Sequence, residues 1–348
     1  MPIDGLLQTI REAPEYAGLL KRDAPRKEQL IVGLSGSQKS LFVAALAKED
    51  ESAGCFPRIV LTHSRFQADR WFRDLLTLLP EEQVIVYPSL EVYPHEEVIT
   101  EISVTRDRLR AISALSERKP VVVVTSVQAV ADRLVPPSVF REHHLRIRQG
   151  DRLDLEESAR KLAGMGYERI SRVEAPGQFS VRGGILDVFT LTDERPFRIE
   201  LFDDEVESIR VFDAASQRSV DELASVRIGP ATESIFPADR LARAIEEIRQ
   251  VAGRQERRLR KVGAEEAADA HVQRVESHVE KLAQGVRFEG MAQYLPFFYD
   301  NLATLLDYAQ DGLVVFDEPV RLKDQLGAHL RDVGEAQSSL LEKGRILP

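Results

Sequence analysis

Cysteine is almost absent from the sequence, since Cys55 is the single one in 348 residues. One thiol cannot form a disulfide within the chain, which excludes a disulfide-stabilised secreted domain. The seven histidines do not supply a zinc site either, because His271 and His278 lie seven residues apart rather than four and have no cysteine partners. We therefore expect a cytoplasmic protein without a metal site.

Long apolar runs are also missing. No window approaches the ~20 apolar residues of a membrane-spanning helix, and the first residues include the acids Asp4 and Glu12 instead of the apolar core of a signal peptide. Positive charge is in deficit as well, since 47 lysines and arginines face 57 acidic residues, for a net charge of −10. Because long apolar runs are missing, we expect no membrane partner. Because the net charge is negative, we expect no broad, sequence-independent binding of nucleic acid, which requires clustered positive charge.

A local basic run, Arg254–Lys261, lies within a predicted long helical region between Arg240 and Gln284 that is interrupted near Gly263. Such a run is typical of a solvated helix face. Direct DNA binding through this run stays open as an alternative, with strong salt dependence as its sign.

The sequence does have the pattern of an α/β protein. Over residues 1–145, predicted helices alternate with short apolar strands, which indicates a parallel sheet covered by helices. The length and the apolar content of 43% are sufficient for two or three domains with real cores. The predicted strands of this sheet are Gln29–Val32, Arg58–Thr62, Val84–Tyr87, Val121–Thr125 and Leu313–Phe316.

The loop Gly33–Ser40 differs at one position from the phosphate-binding pattern G-x-x-x-x-G-K-[ST]. A glycine at that position lets the backbone approach a phosphate closely, whereas the side chain of Gln38 would fill the same space. We therefore predict a vestigial nucleotide site without catalytic residues or a bound cofactor. Its members are Gly33, Gly36, Gln38, Lys39, Ser40, Asp317 and Glu318.

Two readings of the acid pair Asp317-Glu318 remain. The pair ends a predicted buried strand, where it could hold magnesium in a nucleotide hydrolase. Alternatively, Asp317 caps a helix that begins near Pro319. An ATP-binding helicase half that uses Lys39, Ser40, Asp317 and Glu318 is therefore kept as an alternative function.

Residues 167–212 have the alternation of short antiparallel strands, separated by turn signals such as Gly183-Gly184 and Asp203-Asp204. Arg198 falls on the face opposite Phe197 and Ile199, and Phe202 shares the face of Arg198. Arginine and aromatic side chains supply much of the binding energy at protein interfaces. We predict that Arg198 and Phe202 form a contact patch, and we single out Arg182, which precedes the Gly pair, as a further candidate. The alternative is that the arginines form surface ion pairs with Asp187, Glu200 or Asp203, and that Phe202 closes the core edge.

An ordered series of stretches resembles the domain shared by UvrB and the bacterial transcription-repair coupling factors, the Mfd family. The stretches that carry the resemblance are Gly177–Asp187, Phe197–Glu205, Ser208–Arg210, Phe212-Asp213 and Ser216–Ser219, with further matches at Gly33–Ser37, Thr62-His63, Val121–Val127, Leu134, Pro136-Pro137, Gly150, Tyr294–Tyr299 and Val315–Pro319. Two departures favour the coupling factors over UvrB. The phosphate loop is broken at Gln38, and the interval Tyr93–Thr105 is too short and too poor in tyrosine for the aromatic hairpin with which UvrB clamps DNA.

The resemblance implies a fold: a degenerate RecA-like, P-loop helicase-type parallel-sheet domain formed from two sequence segments, with an inserted small α+β docking domain. The implied division is 1–145 for the helicase-like α/β domain, 146–235 for the docking domain, and 236–348 for a helical segment and the return to the α/β domain.

The resemblance also implies a function. Arg182, Arg198 and Phe202 would bind UvrA, so that the chain recruits UvrA in transcription-coupled nucleotide excision repair without catalysis, in imitation of UvrB. The alternative within the resemblance is a UvrB-like protein that binds damaged DNA. In longer family members, an ATP- and magnesium-dependent translocase, contacts with RNA polymerase and double-stranded DNA, and a C-terminal domain that masks the docking surface would lie outside this sequence.

Overall fold

The computed structural model describes residues 2–14, 16, 28–49, 56–90, 101–309 and 312–348. The helices are α1 (Pro2–Arg11), α2 (Ser37–Leu46), α3 (Arg65–Leu76), α4 (Ile102–Ser116), α5 (Val127–Ala131), α6 (Pro137–Glu142), α7 (Leu155–Gly164), α8 (Leu241–Lys261), α9 (Glu265–Ala283), α10 (Leu305–Tyr308) and α11 (Pro319–Glu342), with 3-10 turns at Glu81–Gln83, Ala238–Arg240 and Met291–Phe297. The strands are β1 (Pro57–Thr62), β2 (Val84–Tyr87), β3 (Val122–Ser126), β4 (Leu145–Arg148), β5 (Glu168–Arg169), β6 (Gln178–Arg182), β7 (Ile185–Phe189), β8 (Phe197–Phe202), β9 (Glu205–Phe212), β10 (Ser219–Glu222), β11 (Ser225–Ile228) and β12 (Leu313–Phe316).

The predicted mixed α/β class is confirmed, and the chain divides into two compact units. The first unit consists of Met1–Ser89, Arg110–Asp132 and Thr304–His329, and the second of Leu90–Leu109, Arg133–Ala303 and Leu330–Pro348. Cys55 and most of the Tyr93–Thr105 interval lie outside the described residues. None of the helices in the described ranges combines the length and hydrophobicity needed to span a bilayer.

The first unit is built on a parallel sheet with the strand order β12-β1-β3-β2. β3 is buried at all five positions, as expected for an inner parallel strand. Helix α3 packs on this sheet and buries Trp71 and Leu75. The Ser64 hydroxyl fixes the start of α3, because it accepts a hydrogen bond from the backbone N–H of Gln67 at 3.4 Å.

The strand predicted at Gln29–Val32 is wrong. Residues 28–32 form no strand, and Leu30 and Val32 are 80% and 79% exposed. Apolar character alone does not create a strand, which also needs a hydrogen-bonded neighbour, and in the described sheet β12 pairs with β1 alone. The β12 strand lies where it was predicted but is a partly exposed edge, with Phe316 52% exposed. Helix α2 begins at Ser37, earlier than the predicted Leu41.

The second unit contains a six-stranded sheet with the order β10-β9-β8-β7-β6-β5. Its neighbours are antiparallel except for β5 and β6. The fully buried residues Leu186, Ile199 and Ile209 are paired across β7, β8 and β9, so they form a row of the core face. The opposite face carries the polar side chains discussed below.

The predicted turns join these strands. β6 and β7 meet through Gly183-Gly184, and β8 and β9 through Asp203-Asp204. Gly184 is needed there, because a Cβ atom at this position would lie 2.8 Å from the carbonyl oxygen of Leu201. Since β7 runs antiparallel to both β6 and β8, both turns lie at the same end of the sheet.

Two further features complete the second unit. The predicted interruption near Gly263 is confirmed, because α8 and α9 pack on each other around a core that includes Ile248 and Val275.

The segment after β11 is held by side chains from elsewhere in this unit. Arg108 is fully buried and donates to both carboxylate oxygens of Glu233, at 2.6 Å from Nε and 2.8 Å from Nη2.

Candidate functional site

A polar row crosses the face of the six-stranded sheet that lies opposite Leu186, Ile199 and Ile209. The register places Ser180 of β6 opposite Asp187 of β7, Asp187 opposite Arg198 of β8, and Arg198 opposite Arg210 of β9. Side chains at directly opposed positions share a face and lie within contact distance. Two of the three predicted docking residues, Arg182 and Arg198, are brought together by this arrangement on one carboxylate.

That carboxylate belongs to Asp187, whose side chain has no exposed surface. Its Oδ1 atom accepts a hydrogen bond from the Arg198 Nε atom at 2.7 Å, and its Oδ2 atom accepts from the Arg198 Nη2 atom at 2.9 Å. Oδ2 also accepts from the Arg182 Nη2 atom at 3.0 Å. A buried carboxylate requires partners of this kind, because an unpaired charge is costly away from water.

Arg198 is largely enclosed by the protein. Its guanidinium carbon lies 4.4 Å from the centre of the Phe212 ring, and its Nη2 atom donates to the side-chain oxygen of Gln217 at 3.3 Å. The side chain is only 15% exposed. Its hydrogen bonds to Asp187 favour the charged form and raise the pKa of Arg198, although partial burial acts in the opposite direction.

Arg182 and Phe202 are the members of the predicted patch that reach solvent. The Arg182 side chain is 48% exposed, and Phe202 is 77% exposed. Arg182 ends β6 and Phe202 ends β8, next to the two turns at the same end of the sheet. The alternative in which Phe202 closes the core edge is therefore wrong, whereas the alternative pairing of both arginines with Asp187 is present.

The sequence pattern did not indicate that Phe212 and Gln217 cover the side chain of Arg198. Gln217 has a positive φ of 61° and donates from its side-chain amide to the carbonyl oxygens of Val173 and Ala214, at 3.0 and 2.8 Å. This brings the turn after β9 over the guanidinium. No periodicity marks these contacts, because Gln217 lies 19 positions from Arg198 and 44 positions from Val173.

The predicted nucleotide loop forms a hydrogen bond between two of its own residues. Gly33 and Gly36 both have positive φ, 91° and 53°. The side-chain oxygen of Gln38 accepts a hydrogen bond from the backbone N–H of Ser35 at 2.9 Å. This backbone donor is therefore satisfied within the loop by the Gln38 side chain.

Lys39 and the acid pair are brought together as predicted. The Lys39 Nζ atom lies 2.7 Å from Asp317 Oδ1 and 3.3 Å from Glu318 Oε1. Burial would lower the pKa of Lys39, but the hydrogen bonds and attraction of these two carboxylates outweigh burial and raise it. The second oxygen of Asp317 accepts from the indole nitrogen of Trp71 at 2.9 Å, so each oxygen of this buried carboxylate has a donor.

Ser40 is engaged as well. Its hydroxyl donates to Asp74 Oδ2 at 3.2 Å, and the residue is buried. Within the described part of the chain, no group of three or more histidine, cysteine or acidic side chains is placed to hold a metal ion. The groups that would bind phosphate and magnesium in an active loop thus contact protein atoms.

The basic run at the end of α8 is partly neutralised. Arg260 lies within 3.0 Å of carboxylate oxygens of Glu256, Glu265 and Asp269. These three partners raise the pKa of Arg260, Asp269 most strongly through its hydrogen bond. A phosphate would have to compete with three carboxylates at this position, which favours the solvated helix face over a DNA contact.

Comparison with known proteins gives one match to the segment that contains the six-stranded sheet and further matches to nearly the whole chain. Residues 145–233 match the model of the UvrB interaction domain, which encloses the whole six-stranded sheet with Arg182, Arg198 and Phe202. Over 348 residues, 99% of this chain, the sequence is 35% identical to the transcription-repair-coupling factor of Bacillus subtilis, of which the match covers 29%. Over 318 residues, 90% of this chain, it is 29% identical to the transcription-repair-coupling factor of Staphylococcus haemolyticus, of which the match covers 26%. The chain thus spans less than a third of the length of these relatives. The resemblance inferred from the sequence is confirmed: the chain is similar to the transcription-repair-coupling factors over 90–99% of its length, and its residues 145–233 match the UvrB interaction domain.

Proposed function

We propose that this chain recruits UvrA in transcription-coupled nucleotide excision repair, without catalysis, through a surface that imitates the UvrA-binding surface of UvrB. The observation that carries the proposal is the exposure of Phe202, at 77%, inside the matched domain and at the same end of the sheet as Arg182. A large exposed apolar side chain at the same end of a sheet as a half-exposed arginine has the composition of a binding hot spot.

The three docking residues have different roles in this proposal. Phe202 is the apolar anchor that enters a pocket on UvrA. Arg182 makes a charge-assisted hydrogen bond beside that anchor. Arg198 supports the patch from within the sheet, since its side chain is 15% exposed and bound to Asp187.

We further infer that the parallel-sheet unit is a degenerate RecA-like domain that neither hydrolyses nor requires ATP. The division into residues 1–145, 146–235 and 236–348 belongs to the same proposal. Two observations support the degenerate RecA-like assignment. Lys39 is adjacent to Asp317 and Glu318, and the Gln38 side chain satisfies a backbone donor of the loop. The translocase with its ATP and magnesium, the contacts with RNA polymerase and double-stranded DNA, and the masking C-terminal domain are proposed for the remainder of a longer parent protein.

A co-elution experiment tests recruitment and imitation together. The purified chain is mixed with UvrA and separated by gel filtration, first alone and then with an excess of UvrB. We expect a complex with UvrA that UvrB displaces, because both proteins would occupy one surface. Failure to co-elute contradicts recruitment, whereas a complex that UvrB leaves intact contradicts imitation alone.

A further inference from the structure

Asp187 has an unusual position within the docking domain. It lies on β7, an inner strand of the six-stranded sheet, and its side chain has no exposed surface. Three guanidinium nitrogens donate to it, two from Arg198 and one from Arg182. A carboxylate attached to an inner strand is fixed by the backbone on both sides, so it can determine where longer and more flexible side chains point.

The charges of this cluster are unequal. One carboxylate faces two guanidinium groups, which leaves a net positive charge on the trio of Asp187, Arg182 and Arg198. Arg198 holds both carboxylate oxygens and is covered by Phe212 and Gln217. Arg182 is bound through a single nitrogen and is half exposed. The surplus charge is therefore available to a partner at Arg182.

We propose that Asp187 is a positioning residue of the docking surface. It would hold Arg182 beside the Phe202 end of the sheet, with its remaining donors directed at an acidic group of the partner. This inference rests on the proposed recruitment of UvrA. It assigns Asp187 no contact with the partner, and it explains why two arginines converge on one buried carboxylate.

The test compares variants in a calorimetric titration with UvrA. Asp187→Asn keeps the shape of the side chain and removes its charge. Glu200→Gln is the matched control, because Glu200 lies on the same face but bonds to Ser208 and Arg210 instead. We expect Asp187→Asn to weaken binding about tenfold and Glu200→Gln to leave it unchanged.

A double variant separates positioning from general damage to the fold. If Asp187 acts through Arg182, the pair Asp187→Asn with Arg182→Ala should bind no more weakly than Arg182→Ala alone. A binding loss equal to the product of the two single losses would overturn the inference. So would wild-type affinity in Asp187→Asn.

Two further measurements cover the remaining outcomes. If Asp187→Asn does not fold, Asp187→Glu keeps the charge but displaces the carboxylate, and unchanged affinity in that folded variant would overturn the inference. Side-chain NMR signals of the arginine Nε–H groups should shift for Arg182 and Arg198 in either variant without UvrA present. Absence of binding by the wild-type chain would instead contradict the proposed function itself.

Discussion

Asp187 and Arg198 face each other directly across β7 and β8, with Asp187 Oδ1 2.7 Å from Arg198 Nε. Because Asp187 is fully buried and Arg198 nearly so, their ion pair belongs to the interior of the sheet. The predicted docking residues therefore differ in their exposure to solvent and in their role. Arg198 maintains the structure of the patch, whereas Arg182 and Phe202 present it to solvent.

Replacement of Arg198 should accordingly affect stability as well as binding. Removal of one partner from a buried ion pair typically costs about 3–5 kcal/mol, because the other charge stays buried. Arg182 remains bound to Asp187, so we expect Arg198→Ala to lower the free energy of unfolding by roughly 1–3 kcal/mol. Urea denaturation measures this change.

Arg210→Ala is the control for that experiment. Arg210 lies next to Arg198 in the register, but it is 40% exposed and 3.4 Å from Glu200. Such surface pairs contribute about 0–1 kcal/mol. Equal urea midpoints for Arg198→Ala and the wild type would show that the Asp187 pair is not structural.

The ion pair of Arg108 and Glu233 should contribute more to the stability of the second unit than the pair of Asp187 and Arg198. Arg108 is fully buried and its two hydrogen bonds to Glu233 measure 2.6 and 2.8 Å. We expect Arg108→Ala to lower the free energy of unfolding by about 3–5 kcal/mol, because Glu233 would lose its charge partner. Arg243→Ala removes an exposed pair four residues apart on α8 and should leave the unfolding midpoint unchanged. Similar midpoints in both variants would contradict a stabilising role of the Arg108–Glu233 pair at the segment after β11.

His271 should make stability depend on pH. Burial lowers the pKa of His271 below its ordinary value of 6.5, and Arg274 acts in the same direction. The unfolded chain then binds more protons than the folded chain below about pH 6.5. Stability is therefore present above that pH and is lost as the pH falls toward the folded-state pKa. His271→Asn, whose amide can donate to the Gly344 carbonyl in place of the imidazole Nδ1, should flatten this decline. An identical pH profile of thermal unfolding in the variant would refute the assignment.

Trp71 can report on the proposed vestigial nucleotide site through its fluorescence. It is the single tryptophan of the sequence, and its indole donates to Asp317, which also binds Lys39. We expect no change in its fluorescence when ATP and magnesium are added, because Gln38, Lys39 and Ser40 contact protein groups. Lys39→Ala should change the emission without any nucleotide, since it alters the surroundings of Asp317. A saturable change at micromolar ATP that Lys39→Ala abolishes would instead support the ATP-binding alternative.

The parts of this structure that follow from local patterns could be predicted from the sequence. The turns at Gly183-Gly184 and Asp203-Asp204 and the break at Gly263 follow from residue type. The shared face of Arg198 and Phe202 stays a prediction, because the register of β8 shifts between Glu200 and Leu201. The proximity of Lys39 to Asp317 could also be predicted, although only through a motif that joins residues 278 positions apart.

What the sequence could not supply depends on contacts between distant segments. The apolar run Gln29–Val32 has the composition of a strand but no pairing neighbour among the described residues. The enclosure of Arg198 depends on the turn that carries Gln217, which no spacing rule connects to β8. Periodicity predicts which face a side chain occupies, but not whether another segment covers it.

The most direct test of UvrA recruitment is a calorimetric titration of UvrA with Phe202→Ala, compared with the wild type and with Val220→Ala. Val220 is the matched control, since it is an apolar residue of the same sheet, 48% exposed, on the edge strand β10. We expect little change in the unfolding midpoint from either substitution, because Phe202 is 77% exposed and Val220 is about half exposed. We expect Phe202→Ala to weaken UvrA binding by about 2 kcal/mol or more and Val220→Ala to bind like the wild type. Wild-type affinity in Phe202→Ala would contradict the account.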